Sequence, residues 1–295
     1  MTKDGAVVEP GNETEERIAS SAPEIDCLLL EELGADGGII APIRANARPV
    51  CILGLRLVPW STEQVLEEVD RRIAQRDPCF FITANLHYAM LSARDERLRQ
   101  VNSKAAFLLA DGMPLVWIAR WKRTPLRVRV AGADLVDDLC RQAARVGHRV
   151  FLLGGAPGVA TDAARVLCLR HPGLHIAGTD SPPFRELSPA ENASLVRRIR
   201  DARTDLLFVA FGQPKGEMWL AENVDALGVP ACVQVGASLD FVAGKVARAP
   251  RWAQRLGLEW LHRIACEPAR LGPRYLANGW FLAWALLAEL PNKRS

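Results

Sequence analysis

From residue 49 onward, short apolar runs alternate with amphipathic segments. The runs VCILGLRLV and CFFITA predict buried strands, and TEQVLEEVDRRIAQR between them carries apolar residues at helical spacing. Ser61 and Gln64 make a predicted capping box at the start of that helix. Strands that are apolar on both faces and alternate with helices are typical of a parallel sheet covered on both sides. We therefore expect an α/β fold with an open, mostly parallel sheet and helices on both faces.

The same alternation predicts the elements of the remaining core. Further strands are predicted at residues 105–110, 149–155, 174–180, 205–211 and 231–237. Further helices are predicted at residues 132–146, 160–170, 189–202 and 216–227. In open parallel sheets the ligand lies beyond the carboxyl ends of the strands. The loops that directly follow these strands are therefore where functional side chains are expected.

The two ends of the chain differ from this middle part. Gly, Pro, Glu and Asp interrupt the short apolar pieces of residues 1–48, which predicts a poorly ordered tail, whereas residues 49–244 form the predicted Rossmann-like core. Residues 245–295 combine arginines and aromatic residues with the apolar run LANGWFLAWALLAEL, which predicts a helical appendage. Such an appendage suits an anionic lipid headgroup at a membrane surface. A helical subdomain packed on the core explains the same pattern equally well.

Composition and charge narrow the classes of function. The 37 Lys and Arg residues exceed the 34 Asp and Glu residues by a net charge of only +3, so we expect no nucleic-acid partner. The amino terminus lacks the apolar stretch of a secretory signal, and no run is apolar enough to span a bilayer. We therefore expect a cytoplasmic protein that lies on a membrane without crossing it. The seven cysteines have no CxxC pairing and are expected to be reduced core thiols.

Glycines and cations in the strand-end loops point to an anionic ligand. The loop GGAPG, which contains Gly154 and Gly155, lets backbone N–H groups approach a phosphate or diphosphate, although a left-handed turn before a helix explains it as well. Arg129 precedes the helix at 132–146 and Lys215 follows another strand, so the two are placed to flank a diphosphate. Their alternative is ordinary solvated surface charge. The histidines have no metal-ligand spacing and no DxD triplet occurs, so we expect no metal and no cofactor.

Asp111 is the candidate general base. It follows an apolar strand, where burial can tune a carboxyl group to accept a proton. Capping of a helix over residues 114–120 is an equally good explanation. Thr83 and Asn85 follow the neighbouring run CFFITA and offer neutral hydrogen-bonding groups, or simply close a turn.

Ordered blocks of this sequence resemble the WecG/TagA/CpsF family of bacterial glycosyltransferases, family 26 of the sequence classification, over about residues 50–276. The blocks lie at residues 83–85, 110–114, 129–135, 151–155, 236–241, 243–245, 248–250 and 258–263. The resemblance implies inverting, metal-independent transfer of a sugar from a UDP-sugar donor to a polyprenyl-diphosphate-linked acceptor. It places the enzyme on the cytoplasmic face of the membrane, in the biosynthesis of cell-surface polysaccharide or exopolysaccharide.

The resemblance also implies roles for residues. It makes Asp111 the base and puts Thr83 and Asn85 in the same pocket. It implies that three arginines of the appendage hold the acceptor diphosphate: Arg263, Arg270 and Arg274. The chain departs from the family at Gly216, because many relatives read PKQE where this chain reads PKGE, and the neighbouring Gln213 is a candidate to serve instead.

Two other functions remain open at this point. A Rossmann-type oxidoreductase predicts a GxGxxG loop with an acidic residue about 20 positions later, and this pattern is missing. A non-catalytic, membrane-associated scaffold would keep the fold without turnover. A homo-oligomer is compatible with every one of these functions.

Overall fold

The computed structural model describes residues 48–255 and 257–289, except for the side chains of Arg255, Arg270, Ala288 and Glu289. Residues 1–47 of the predicted tail lie outside the described part of the chain. The role expected for the Arg270 side chain also lies outside the described part.

One mixed sheet forms the centre of the fold. Its strands are β1 (Val50–Ile52), β2 (Leu55–Leu57), β3 (Phe80–Ala84), β4 (Leu108–Ala110), β5 (Arg149–Gly154), β6 (His175–Asp180), β7 (Leu206–Ala210) and β8 (Ala231–Gln234). Their order across the sheet is β1-β2-β4-β3-β8-β7-β5-β6. Only β1 pairs antiparallel with its neighbour, and all other neighbouring pairs are parallel. The expected α/β fold with a mostly parallel sheet is confirmed.

The first predicted strand is a hairpin. VCILGLRLV folds as β1 and β2, with Leu53 at φ 51° and Gly54 at φ 78° between them. A two-residue hairpin turn that matches the strand twist needs positive φ at both central positions, and glycine adopts it without strain. The prediction of one continuous strand was wrong because the apolar pattern runs through this turn.

Helices cover both faces of the sheet. The first nine are α1 (Thr62–Gln75), α2 (Leu86–Arg94), α3 (Glu96–Lys104), α4 (Met113–Trp121), α5 (Gly132–Val146), α6 (Val159–Arg170), α7 (Pro189–Asp201), α8 (Lys215–Leu227) and α9 (Ser238–Val242). One apolar layer packs α1, α5, α6 and α9 against the sheet, and the other packs α2, α3, α4, α7 and α8. The capping box of Ser61 and Gln64 is present. Sequence analysis predicted neither α2 nor α3, whose N-caps are Asn85 and Asp95.

The last part of the chain forms three helices, α10 (Arg251–Arg255), α11 (Glu259–Cys266) and α12 (Pro268–Glu289). On α12, Phe281 and Ala285 are buried in the same apolar layer as α2. The opposite side of α12, called its outward side below, carries exposed large side chains: Leu276, Trp280, Trp284 and Leu287. Apolar residues therefore lie on two sides of this helix. No helix among the described residues is long and apolar enough to cross a membrane.

The cysteines differ in part from the expectation. Cys79, Cys140 and Cys232 are buried free thiols, as expected, whereas Cys168 and Cys266 are free but exposed. Cys51 is disulfide-bonded, so the expectation of seven reduced core thiols was wrong.

Candidate active site

Asp111 lies where three segments meet at the carboxyl end of β4. Its backbone N–H donates to the carbonyl of Ala84 at the end of β3 (2.7 Å), and the N–H of Val130 donates to the carbonyl of Ala110 (2.9 Å). Gly132, the first residue of α5, lies against the Asp111 carboxyl group, since a Cβ atom there would be 3.5 Å from Oδ2. The N-terminus of α5 therefore faces a carboxylate, which its dipole stabilises.

The surroundings of Asp111 suit a proton acceptor. Burial raises the pKa of Asp111 to about 6, against the opposing effect of the Arg129 guanidinium. Glu259 raises this pKa further, whereas the N–H of Gly132 and the Arg263 guanidinium lower it. The carboxyl group is thus mostly ionised at neutral pH and close enough to neutrality to take up a proton. It does not cap α4, because Gly112 is the N-cap and no side chain makes a capping hydrogen bond there.

Thr83 and Asn85 have structural partners in the same region. Asn85 caps α2 by accepting from the N–H of Tyr88 (3.1 Å), and its Nδ2 donates to Oε1 of Gln213 (2.9 Å). Gln213, which follows β7, donates in turn from Nε2 to the carbonyl of Thr83 (3.2 Å). Thr83 Oγ1 donates to the carbonyl of Gln234 (3.2 Å). The loops after β3 and β7 are thereby joined across the end of β8.

The absence of a side chain at Gly216 is explained by Gln234. A Cβ atom at Gly216 would lie 2.7 Å from Cδ and 2.8 Å from Cγ of Gln234, so this side chain of β8 fills the space beside residue 216. Gln234 is buried, and its Oε1 accepts from the N–H of Gly236 (3.1 Å). The glutamine side chain beside residue 216 therefore comes from β8, whereas Gln213 forms hydrogen bonds with Thr83 and Asn85.

Glu217 is a buried acid that sequence analysis passed over. Its side chain is fully buried in the first turn of α8, where the Gln213 side chain and the backbone N–H of Glu217 lie near its carboxyl group. Burial raises the pKa of Glu217 to about 8. Burial raises the pKa of the Tyr88 hydroxyl group, and Glu217 in its ionised form raises it further. Glu217 is therefore a neutral carboxylic acid at pH 7.

Replacing Glu217 with glutamine should stabilise the fold as the pH rises. The folded protein holds a proton on Glu217 up to about pH 8, whereas the unfolded chain releases it near 4.5, so the native protein loses stability between these values. Glu217→Gln removes this loss and should raise the free energy of unfolding by roughly 3 kcal/mol at pH 7. Urea unfolding at pH 5, 7 and 9 measures the difference.

The matched control is Glu222→Gln, an exposed position on the same helix. Its unfolding free energy should follow that of the native protein at every pH. If the Glu217→Gln curve also runs parallel to the native one, Glu217 is not held neutral by the fold.

Two arginine side chains influence Asp111. Arg129 donates from Nη1 to Oε2 of Glu259 on α11 (3.2 Å). Arg263, one turn further along α11, lies with its guanidinium carbon 5.6 Å from the ring centroid of Phe241 on α9. Both guanidinium groups affect the pKa of Asp111. Helix α11, in the last part of the chain, therefore contributes charge to the region around this carboxyl group.

Three further residues predicted for the site lie at the ends of other strands than Asp111: Gly154, Gly155 and Lys215. Gly154 ends β5 and Gly155 follows it, and β5 is four strands from β4. The N–H of Gly155 donates to the carbonyl of Ala210 in β7, and a Cβ atom at Gly154 would lie 2.8 Å from that oxygen. The close approach of β7 and the positive φ angles of Gly154 (105°) and Gly155 (77°) therefore explain both glycines. Lys215 begins α8 and donates from Nζ to the carbonyl of Phe184 (3.3 Å).

Arg274 of α12 lies near His87. Burial lowers the pKa of His87, and the charge of Arg274 lowers it further. Nδ1 of His87 is 3.1 Å from Oδ1 of Asn278, so this histidine joins α2 to α12. Within the described ranges, no group of three or more His, Cys, Asp or Glu side chains is placed to hold a metal ion.

Comparison with known proteins relates most of the chain to one family. Residues 50–295 match the model of the glycosyl transferase WecG/TagA/CpsF family. The match extends to the end of the chain and so beyond residue 276, where the resemblance was expected to stop. Two relatives from Staphylococcus aureus, of strains NCTC 8325 / PS 47 and COL, are each 29% identical over 78% of this chain and 89% of their own length. Both are named N-acetylglucosaminyldiphosphoundecaprenol N-acetyl-beta-D-mannosaminyltransferase.

Proposed function

The chain belongs to the WecG/TagA/CpsF family of glycosyltransferases, and we propose that it moves an N-acetylhexosaminyl group from a UDP-sugar to a polyprenyl-diphosphate-linked saccharide. The observation that carries this proposal is Asp111, a half-buried carboxyl group at the N-terminus of α5 with a pKa of about 6. The names of the relatives supply the sugar class and the kind of acceptor. Membership of a glycosyltransferase family excludes the oxidoreductase considered above.

The reaction is a single displacement. Asp111 accepts the proton of the acceptor hydroxyl group while that oxygen bonds to the anomeric carbon, and the bond from this carbon to the UDP oxygen breaks. Arg129 stabilises the charge that develops on the leaving diphosphate. Displacement at an α-linked sugar nucleotide inverts the anomeric centre, which is consistent with the beta linkage in the names of the relatives.

A polyprenyl-linked acceptor supports a position of the enzyme at a membrane surface. Lipid-linked saccharides are held in the bilayer, so the enzyme must reach its acceptor there. The outward side of α12 supports membrane contact, because it exposes Trp280 at 76% and Leu276 at 77% of their surfaces. Tryptophan is favoured at membrane interfaces, and arginine stems cover apolar surface while their charges stay in water. These features support a peripheral position on the cytoplasmic face, where the nucleotide donor is available.

The test is a transfer assay with mass spectrometry. The protein is incubated with single UDP-N-acetylhexosamines and a short-chain prenyl-diphosphate-linked N-acetylglucosamine, and the expected product is heavier than the acceptor by one N-acetylhexosaminyl unit. An unchanged acceptor with every donor, from a protein that is folded by circular dichroism, would favour the non-catalytic scaffold.

A further inference from the structure

Glu259 joins the C-terminal helices to two arginines of the preceding chain. Its Oε2 accepts from Nη1 of Arg129 (3.2 Å), and its Oε1 accepts from Nε of Arg248 (3.3 Å). Arg248 also donates from Nη1 to Oδ1 of Asp134, in the first turn of α5 (2.6 Å). The side chains of Arg129, Glu259 and Arg248 are only 16%, 18% and 25% exposed. These charges therefore lie largely out of water.

The contacts of Glu259 leave hydrogen-bonding capacity unused. Each guanidinium group meets Glu259 through one nitrogen, at a distance near the long end for a hydrogen bond between charged groups. Nη2 of Arg248 is buried and has no hydrogen-bond partner among the described residues. Arginine binds phosphate best through two parallel N–H donors, which a single shared carboxylate does not provide here.

An anion of higher charge fits this pair of arginines better than Glu259 does. Guanidinium groups that lie largely out of water are costly without a counter-ion. Arg129 pairs with Glu259, whereas Arg248 pairs with both Glu259 and Asp134. The ligand-free protein therefore needs an internal anion at this position. A diphosphate carries more negative charge than one carboxylate and has enough oxygens to meet both arginines in bidentate geometry.

We propose that Arg129 and Arg248 together form the diphosphate subsite and that Glu259 is its resident counter-ion, which the diphosphate of the donor displaces. The assignment of the diphosphate to UDP rests on the proposed function. Arg248 is thereby a binding residue, and Glu259 is a positioning residue that holds both guanidinium groups in the empty site. Glu259 competes with the ligand, so its charge weakens ligand binding.

Isothermal titration calorimetry with UDP and with inorganic pyrophosphate tests this assignment. Glu259→Gln keeps the shape of the side chain and removes its charge, so both ligands should bind about 10-fold more tightly than to the native protein. A purely structural Glu259 predicts the opposite, because loss of an ion pair that shapes the site weakens binding. Arg248→Gln should weaken the binding of both ligands.

The control is Glu186→Gln, an exposed change that should leave both dissociation constants unaltered. If Glu259→Gln does not fold, Glu259→Asp keeps the charge but is too short to reach both arginines, and it should tighten binding by a smaller factor. Unchanged or weaker binding to the folded variant overturns the role of Glu259. Native protein that binds pyrophosphate but not UDP instead overturns the proposed donor, and native protein that binds neither ligand overturns both.

Discussion

Replacement of Asp111 by asparagine is expected to lower kcat about 10²- to 10⁴-fold, the usual contribution of a general base. Asparagine has nearly the same shape as aspartate and leaves room for the close packing of Gly132 against residue 111. Its amide group, however, cannot take the proton of the acceptor hydroxyl group. The affinity for the donor should change little, because the proposed diphosphate contacts come from other residues. Initial rates of transfer under saturating donor and acceptor measure kcat, and titration with UDP measures donor affinity.

The pH profile separates a base from a structural carboxylate. The native enzyme should lose activity as the pH falls through about 6, because Asp111 then becomes protonated. The residual activity of Asp111→Asn should lack this limb. Asp180→Asn is the matched control, since Asp180 also ends a strand but pairs with Arg198 at the edge of the sheet. Full activity in Asp111→Asn would remove Asp111 from the mechanism.

Loss of the outward side of α12 should abolish vesicle binding. The triple variant Leu276→Ser, Trp280→Ser and Trp284→Ser removes exposed apolar groups without touching the buried side of the helix. Each such side chain contributes roughly 1 to 2 kcal/mol when it enters lipid, so partition into vesicles should fall by at least about 10²-fold. Sedimentation with vesicles that contain anionic lipid measures this partition.

Substitution is preferable to deletion of the C-terminal helices. Phe281 and Ala285 are part of the core, so a truncated chain would expose the apolar layer under α12. The control is Val146→Ser with Leu169→Ser, two exposed apolar positions on α5 and α6. Transfer to a water-soluble acceptor should survive in the triple variant. Equal sedimentation of the triple variant and the native protein would contradict membrane contact through α12.

Local pattern predicted much of the core. Helix α5 was predicted at residues 132–146 and is found at Gly132–Val146, since its apolar spacing is regular and Gly147 ends it in a left-handed conformation. The hairpin at Leu53 and Gly54 was missed because apolar residues continue through the turn. Helices α2 and α3 were missed because the segment between CFFITA and AAFLLA was not assigned, although Asn85 and Asp95 are good N-cap residues.

The candidate site was predictable where it follows from strand order. Thr83 and Asp111 lie at the ends of β3 and β4, and parallel strands bring their carboxyl ends together. The pair of Arg129 and Glu259 spans 130 positions, and no periodicity indicates where α11 docks. Glu217 resembles an exposed acid in the first turn of a helix, and only the packing around α8 makes it buried. Side chains that depend on docking between distant segments are therefore the ones that sequence patterns miss.

The contact between Gly216 and Gln234 limits how loops can be exchanged within the family. A relative with glutamine at the position of Gly216 needs a smaller residue at the position of Gln234, because the two side chains would compete for one volume. A chimera that receives the PKQE loop alone would be overpacked at this point. Donor loops should therefore be transplanted together with the end of β8, as one unit.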